Sequence, residues 1–153
     1  MKHREVIAMG QMINQVIIRF DNAPKGIESK MLKRHTIPNV WDILLYEYVW
    51  LRPRDYEKVE EMVLRDLNGP LGKEIQMLRK SGMNPVFHLD IPSSRLKFLT
   101  LNLRHEDVRK LGRRNVGIGF STYTEDGETK QILYVSPHLI KALASFNFSL
   151  EVC

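Results

Sequence analysis

Val86-Phe87-His88-Leu89-Asp90-Ile91, which follows Pro85, is where the hydrophobic pattern of the chain changes period. Upstream, Tyr56, Val59, Met62, Val63 and Leu67 recur three and four residues apart, and so do Leu71, Ile75 and Leu78. Side chains at that spacing share one face of a helix, whereas a spacing of two puts them on one face of a strand. Downstream, Leu99, Leu101 and Leu103 alternate with Thr100, Asn102 and Arg104. The expected fold class is therefore α+β, with a helical N-terminal half packed with an antiparallel β C-terminal half. Residues 1–82 are expected to be mainly helical and residues 83–153 mainly β with two short helices, all in one domain spanning 1–153.

Working back from the switch, the third helix covers residues 71–80 and stops at Gly82, and the second begins at Pro53 and ends at Asn68-Gly69-Pro70. Proline suits the first helical turn because the missing N–H has no intrahelical partner there, and glycine suits the residue after the last turn. Asn39 reads as the cap of a helix running to Arg52, and Val40, Trp41, Ile43, Leu44, Leu45, Tyr48, Val49 and Trp50 would cover most of its circumference. A helix apolar all round belongs at the centre of a core. Val6, Met9, Ile13, Val16, Ile17 and Phe20 fit an amphipathic helix over residues 4–20, with a strand over residues 15–20 as the alternative. Lys30, Lys33, Arg34 and His35 form a short basic stretch on a brief helix.

Working forward, residues 86–91 and 96–103 read as strands and residues 104–111 as a helix stopped by Gly112. Residues 115–124 pair with 128–135 as a hairpin across Glu125-Asp126-Gly127. Ser136 and Pro137 open a last helix to Ser145, and residues 146–152 return as a terminal strand.

At 153 residues with 43% hydrophobic content, the chain can fill a single core. Residues 40–51 are its longest strongly apolar stretch, interrupted by Asp42 and Glu47. They fall short of the ~20 residues that a membrane span needs. Glu5, Gln11, Asn14 and Gln15 break the apolar part of the first twenty residues, so no secretory signal is expected. The single cysteine, Cys153, excludes an intrachain disulfide and a multi-cysteine zinc site, which fits a reducing, cytoplasmic setting. No GxGxxG or GxxxxGK[ST] pattern occurs, and neither a cofactor nor a metal is expected.

The net charge of +5 is unevenly spread. Residues 1–35 carry +4, 36–94 carry −2, 95–114 carry +5 and 115–153 carry −2. Segregated positive charge suits a protein that meets a polyanion on one face. In the most basic block, the alternating strand leads without a loop into His105-Glu106-Asp107-Val108-Arg109-Lys110-Leu111-Gly112. Its acidic residues precede its basic ones, as a helix dipole prefers.

At residues 95–112 the chain resembles the strand–helix half of a ribbon-helix-helix DNA-binding domain. In that family two chains pair their strands into a ribbon whose outward polar residues enter the major groove. The resemblance implies a homodimer that binds double-stranded DNA and regulates transcription, with Thr100, Asn102 and Arg104 touching bases. Arg95, Lys97, Arg109, Lys110, Arg113 and Arg114 would touch phosphates, which supply affinity and register rather than sequence information. The family's second helix is displaced here, because residues 115–135 read as a hairpin.

Other readings compete. Residues 54–80 offer a helix-turn-helix, but Asp55, Glu57, Glu60, Glu61 and Asp66 make its first helix acidic, and phosphates would repel it. His88 with Asp90, His105 with Glu106 and Asp107, and His138 are the acid–base candidates of a small basic ribonuclease, though none has a diagnostic spacing. A non-catalytic protein-interaction module is the third class.

Overall fold

The computed structural model describes residues 14–21, 33–34, 41–48, 53–90, 101–123, 127 and 129–153. Its elements are β1 (Asn14–Asp21), β2 (Lys33–Arg34), β3 (Trp41–Tyr48), α1 (Pro53–Leu67), α2 (Pro70–Lys80), β4 (Asn84–Asp90) and β5 (Leu101–Leu103). Then follow α3 (His105–Arg114), β6 (Ile118–Tyr123), β7 (Thr129–Val135), α4 (Pro137–Ser145) and β8 (Ser149–Val152). The fold is α+β. A six-stranded sheet has the order β2-β3-β1-β4-β8-β5, and β6-β7 form a separate two-stranded sheet. All neighbours in the large sheet are antiparallel except β4 and β8, which run parallel.

Three segments expected as helices are strands. Residues 41–48 pair with β1 on one side and β2 on the other. A short run that is apolar on every side is satisfied equally by a buried helix or by an inner strand, and Trp, Ile, Leu and Tyr fill pleated surfaces well. Over residues 14–21 the alternative strand reading holds: Val16, Ile18 and Phe20 are fully buried, while Ile17 and Arg19 face the other way. Lys33 and Arg34, expected on a brief helix, form the short strand β2. Residues 4–13 and the ends of the expected helix over 39–52 lie outside the described residues.

The remaining elements follow their sequence signals. α1 and α2 lay Tyr56, Val59, Val63, Leu67, Leu71, Ile75 and Leu78 against the sheet face formed by Val16, Ile18, Phe20, Phe87, Leu89, Leu150 and Val152. Val108 of α3, Leu139, Ile140 and Leu143 of α4, and Phe120, Leu133 and Val135 of the hairpin complete one core. Among the described residues, no helix is long and apolar enough to cross a membrane.

Three helices end in the same way. Gly82, Asn115 and Asn147 have φ of 88°, 56° and 60°. The next amide reaches back five residues in each case: Met83 N–H to Leu78, Val116 to Leu111 and Phe148 to Leu143. This left-handed turn satisfies carbonyls the helix cannot reach. Gly112, expected to stop α3, instead lies inside it at the crossing with α4, where an added Cβ would stand 3.5 Å from the Cβ of Ala144. Asn115 supplies the left-handed turn three residues later.

Candidate nucleic-acid interface

β5 pairs antiparallel with β8, placing Leu101 opposite Val152, Asn102 opposite Glu151 and Leu103 opposite Leu150. Leu101 and Leu103 pack against the core, so the pleat turns Asn102 to solvent. Arg104 has extended backbone (φ −71°, ψ 160°), begins α3 without a side-chain cap, and is 80% exposed. α3 turns Val108 and Gly112 inward. Its outer surface therefore carries Arg109, Lys110, Arg113 and Arg114, all exposed. None of the four has a carboxylate partner among the described residues; Arg104 is 3.9 Å from Glu106. Lys141, exposed on α4 with its Cα 3.7 Å from where a Gly112 Cβ would be, brings a further cation to the seam. It falls in a block of net negative charge, and only the α3–α4 packing reveals it.

The described members of the expected contact set fall into two groups. Residues directly opposite each other in an antiparallel pair share a face, so Asn102 lies on the side of Glu151. α3 packs on the other side, with the core. Asn102 and the four α3 cations are thus separated by the sheet, and Arg104 stands at the junction between them. Thr100, Arg95 and Lys97 lie outside the described residues. β5 takes β8 as a partner within its own chain and stands at the edge of the six-stranded sheet. Six strands at roughly 4.8 Å spacing span roughly 24 Å, too wide for a major groove of ~12 Å. α3, a single exposed helix, is narrow enough to enter one.

No family model, curated protein or solved structure matches this chain. Function therefore rests on the chemistry of its own surfaces, of which the sheet face opposite the helices is the second.

Arg19, His88, Glu151 and Cys153 meet on that face from three strands. The Arg19 guanidinium donates two hydrogen bonds to Glu151, Nη1 to Oε1 and Nη2 to Oε2, each 3.1 Å. Glu151 Oε1 is also 2.7 Å from His88 Nδ1, and His88 Nε2 is 3.5 Å from Cys153 Sγ. The Arg19 hydrogen bonds hold the Glu151 carboxyl below its ordinary value, against the opposing effect of burial. Burial first, then the charges of Asp90 and Glu151, push the Cys153 thiol up, with Arg19 opposing. His88, Glu151 and Cys153 lie close enough to hold a cation. Arg19 nevertheless occupies both Glu151 oxygens with a fixed positive charge, so the group suits proton transfer better than metal binding. Asp90 is the partner that sequence spacing offers His88; the decisive partners, 63 and 65 residues away, come through the parallel β4–β8 pair.

A third titratable group is structural. Glu60 on α1 is 6% exposed, and its Oε2 accepts the Ser136 N–H at 3.0 Å; the Ser136 hydroxyl in turn accepts the Leu139 N–H at 3.2 Å to cap α4. Burial raises the Glu60 carboxyl above its ordinary 4.5, and the Ser136 hydrogen bonds only partly oppose this. Neighbouring Tyr56, fully buried, is pushed well above its usual value by burial first and then by the charge of Glu60. The folded protein therefore holds the Glu60 proton more tightly than the unfolded chain does, and stability from this group falls as pH rises above 4.5. Glu151 acts in the opposite sense: its contribution is present above the ordinary carboxylate value and is lost as pH falls through its lowered one. Glu60→Gln removes the first effect while keeping an acceptor for Ser136. Thermal unfolding of both proteins from pH 4 to pH 8 should show the variant gaining on the parent as pH rises, and a constant difference would count against a titrating Glu60.

Proposed function

We propose that the protein binds double-stranded DNA through the outer face of α3 and acts as a sequence-specific transcriptional regulator. One observation carries the reading: Arg109, Lys110, Arg113 and Arg114 stand exposed on one short helix with no carboxylate partner among the described residues. Such a group neutralises phosphates and releases their counterions. Arg104 at the start of the helix is the base-contact candidate best placed to join them, since a guanidinium matches the O6/N7 edge of guanine with two parallel hydrogen bonds.

Fluorescence anisotropy against labelled duplex DNA, single-stranded DNA and structured RNA, at two salt concentrations, tests the proposal. Tight duplex binding that weakens steeply with salt is expected. Cleaved RNA would instead indicate the basic ribonuclease, and absence of binding to any probe would leave an interaction module. Within this assay, Lys110→Ala should weaken all duplexes alike and lower the salt slope by about 1. If the strand face joins the contact, Asn102→Ala should cost about 1–3 kcal/mol against the preferred site alone. An Asn102 variant that behaves like the parent would restrict the interface to α3 and its two ends.

A further inference from the structure

The cluster on the sheet face opposite the helices has a directional order that the nucleic-acid reading does not use. Glu151, held ionised by two hydrogen bonds from Arg19, can only accept, so His88 Nδ1–H donates to it. In the neutral imidazole, Nε2 is then the bare nitrogen, and it faces the Cys153 thiol at 3.5 Å. Thiol, imidazole and carboxylate stand in line, with a base beside the nucleophile and a third group orienting the base. The His88 side chain is 13% exposed and that of Glu151 27%, so the ring is fenced in, while Cys153 as a residue is partly exposed. The backbone of Cys153 is held as well, since its N–H donates to the Leu89 carbonyl at 3.0 Å. On the β5 side of Glu151, a cleft of about 230 Å³ is lined by Arg19, Asn102, Arg104 and Ser149, among others.

We propose that Cys153 is a nucleophile activated by His88, that Glu151 and Arg19 are its positioning residues, and that the site takes an acyl group activated as an ester or thioester. The Cys153 S–H proton passes to His88 Nε2 as the sulfur bonds to the carbonyl carbon. The tetrahedral adduct then expels the alkoxide or thiolate, which takes the proton from Nε2–H and departs as alcohol or thiol. Water, giving a proton to Nε2 as its oxygen bonds to the same carbon, releases the carboxylic acid and restores the thiol. Neither His88 nor Cys153 lines that cleft, which lies beside the thiol rather than over it. The groups facing the sulfur are His88 and Asp90 on β4, Glu151 on β8 and Arg19 on β1. Two carboxylates beside a thiol disfavour its free thiolate, so reaction near neutral pH depends on the imidazole taking the proton.

The test uses the full chain with p-nitrophenyl acetate, following released p-nitrophenolate and locating the acetyl group by peptide mass. The expected result is acetylation of Cys153 at pH 7 at least tenfold faster than acetylation of glutathione. The rate should fall on the order of a hundredfold in His88→Gln, as loss of a general base does. Glu151→Gln should move the midpoint of the rate-against-pH curve to lower pH, since an amide no longer stabilises the imidazolium, a change a purely structural role would not produce. Circular dichroism confirms that the variants are folded. A parent protein no more reactive than glutathione overturns the proposal without recourse to any variant. A folded His88→Gln protein acetylated at the parental rate overturns it equally.

Discussion

Replacing Arg109, Lys110, Arg113 and Arg114 together by glutamine should abolish duplex DNA binding at 0.1 M salt, a loss on the order of a thousandfold, while leaving the fold intact. Each phosphate contact contributes about 0.9 to the slope of log affinity against log salt. Four lost contacts should therefore lower that slope by roughly 3.6. Glutamine keeps the helical propensity of the replaced residues, and the inward side of α3, Val108 and Gly112, is unchanged. The structural cost is confined to Arg113 and Arg114 in the last turn, where cations favour the helix dipole by about 0.3–1 kcal/mol. Anisotropy across a salt series, beside circular dichroism, separates loss of contact from loss of fold. A folded quadruple variant with parental affinity and slope would show the basic face to be only solvated. That result would leave the thiol–imidazole–carboxylate cluster untouched, because it lies on the opposite side of the sheet.

Helices and hairpin were legible where local chemistry decides them. Pro53 opens a helix, Gly82 closes one, and Ser136 caps another through its own hydroxyl, whereas Pro70, expected in the stop of α1, is the first residue of α2. Residues 41–48 were misread because their apolar character has no period, and whether such a run is a buried helix or an inner strand depends on what lies beside it. Here β1 and β2 lie beside it, and neither pairing is written locally. The strand–helix segment was legible as a local unit, but not its incorporation at the sheet edge, which turns Asn102 toward Glu151 and away from the α3 cations. The cluster around His88 was least legible. His88 was visible as a candidate base, yet Glu151 and Cys153 reach it only because β8 returns parallel to β4 after β5, the β6-β7 hairpin and two helices. Arg19 reaches it only because β1 is a strand.

That parallel return depends on Phe148, and Phe148→Ala is expected to be the most destabilising single truncation. Its ring is fully buried, 6.1 Å from Phe87 at an interplanar angle of 86°, an edge-on contact joining the α4–β8 turn to the middle of β4. It also packs 6.3 Å from Phe146, across the turn in which Asn147 takes a φ of 60° and the Phe148 amide closes on Leu143 at 3.0 Å. Truncating a buried Phe costs about 3–5 kcal/mol through lost transfer energy and a residual cavity. The aromatic pair lost with Phe87 is itself worth about 0.5–1.5 kcal/mol beyond burial. Against a typical domain stability of about 5–15 kcal/mol, the variant should lose a third or more of its margin. At about 2–4 °C per kcal/mol for a chain of this size, Tm should fall by roughly 10 °C. Because Phe148 sits immediately before β8, local loosening should reach the site before global unfolding does. Below its lowered Tm, the variant should therefore lose acetylation of Cys153 while α3 keeps its affinity for duplex DNA. Calorimetry and the two binding and labelling assays, run at one temperature, decide this: parallel loss of both activities would mean that sheet and helix layer unfold as one unit.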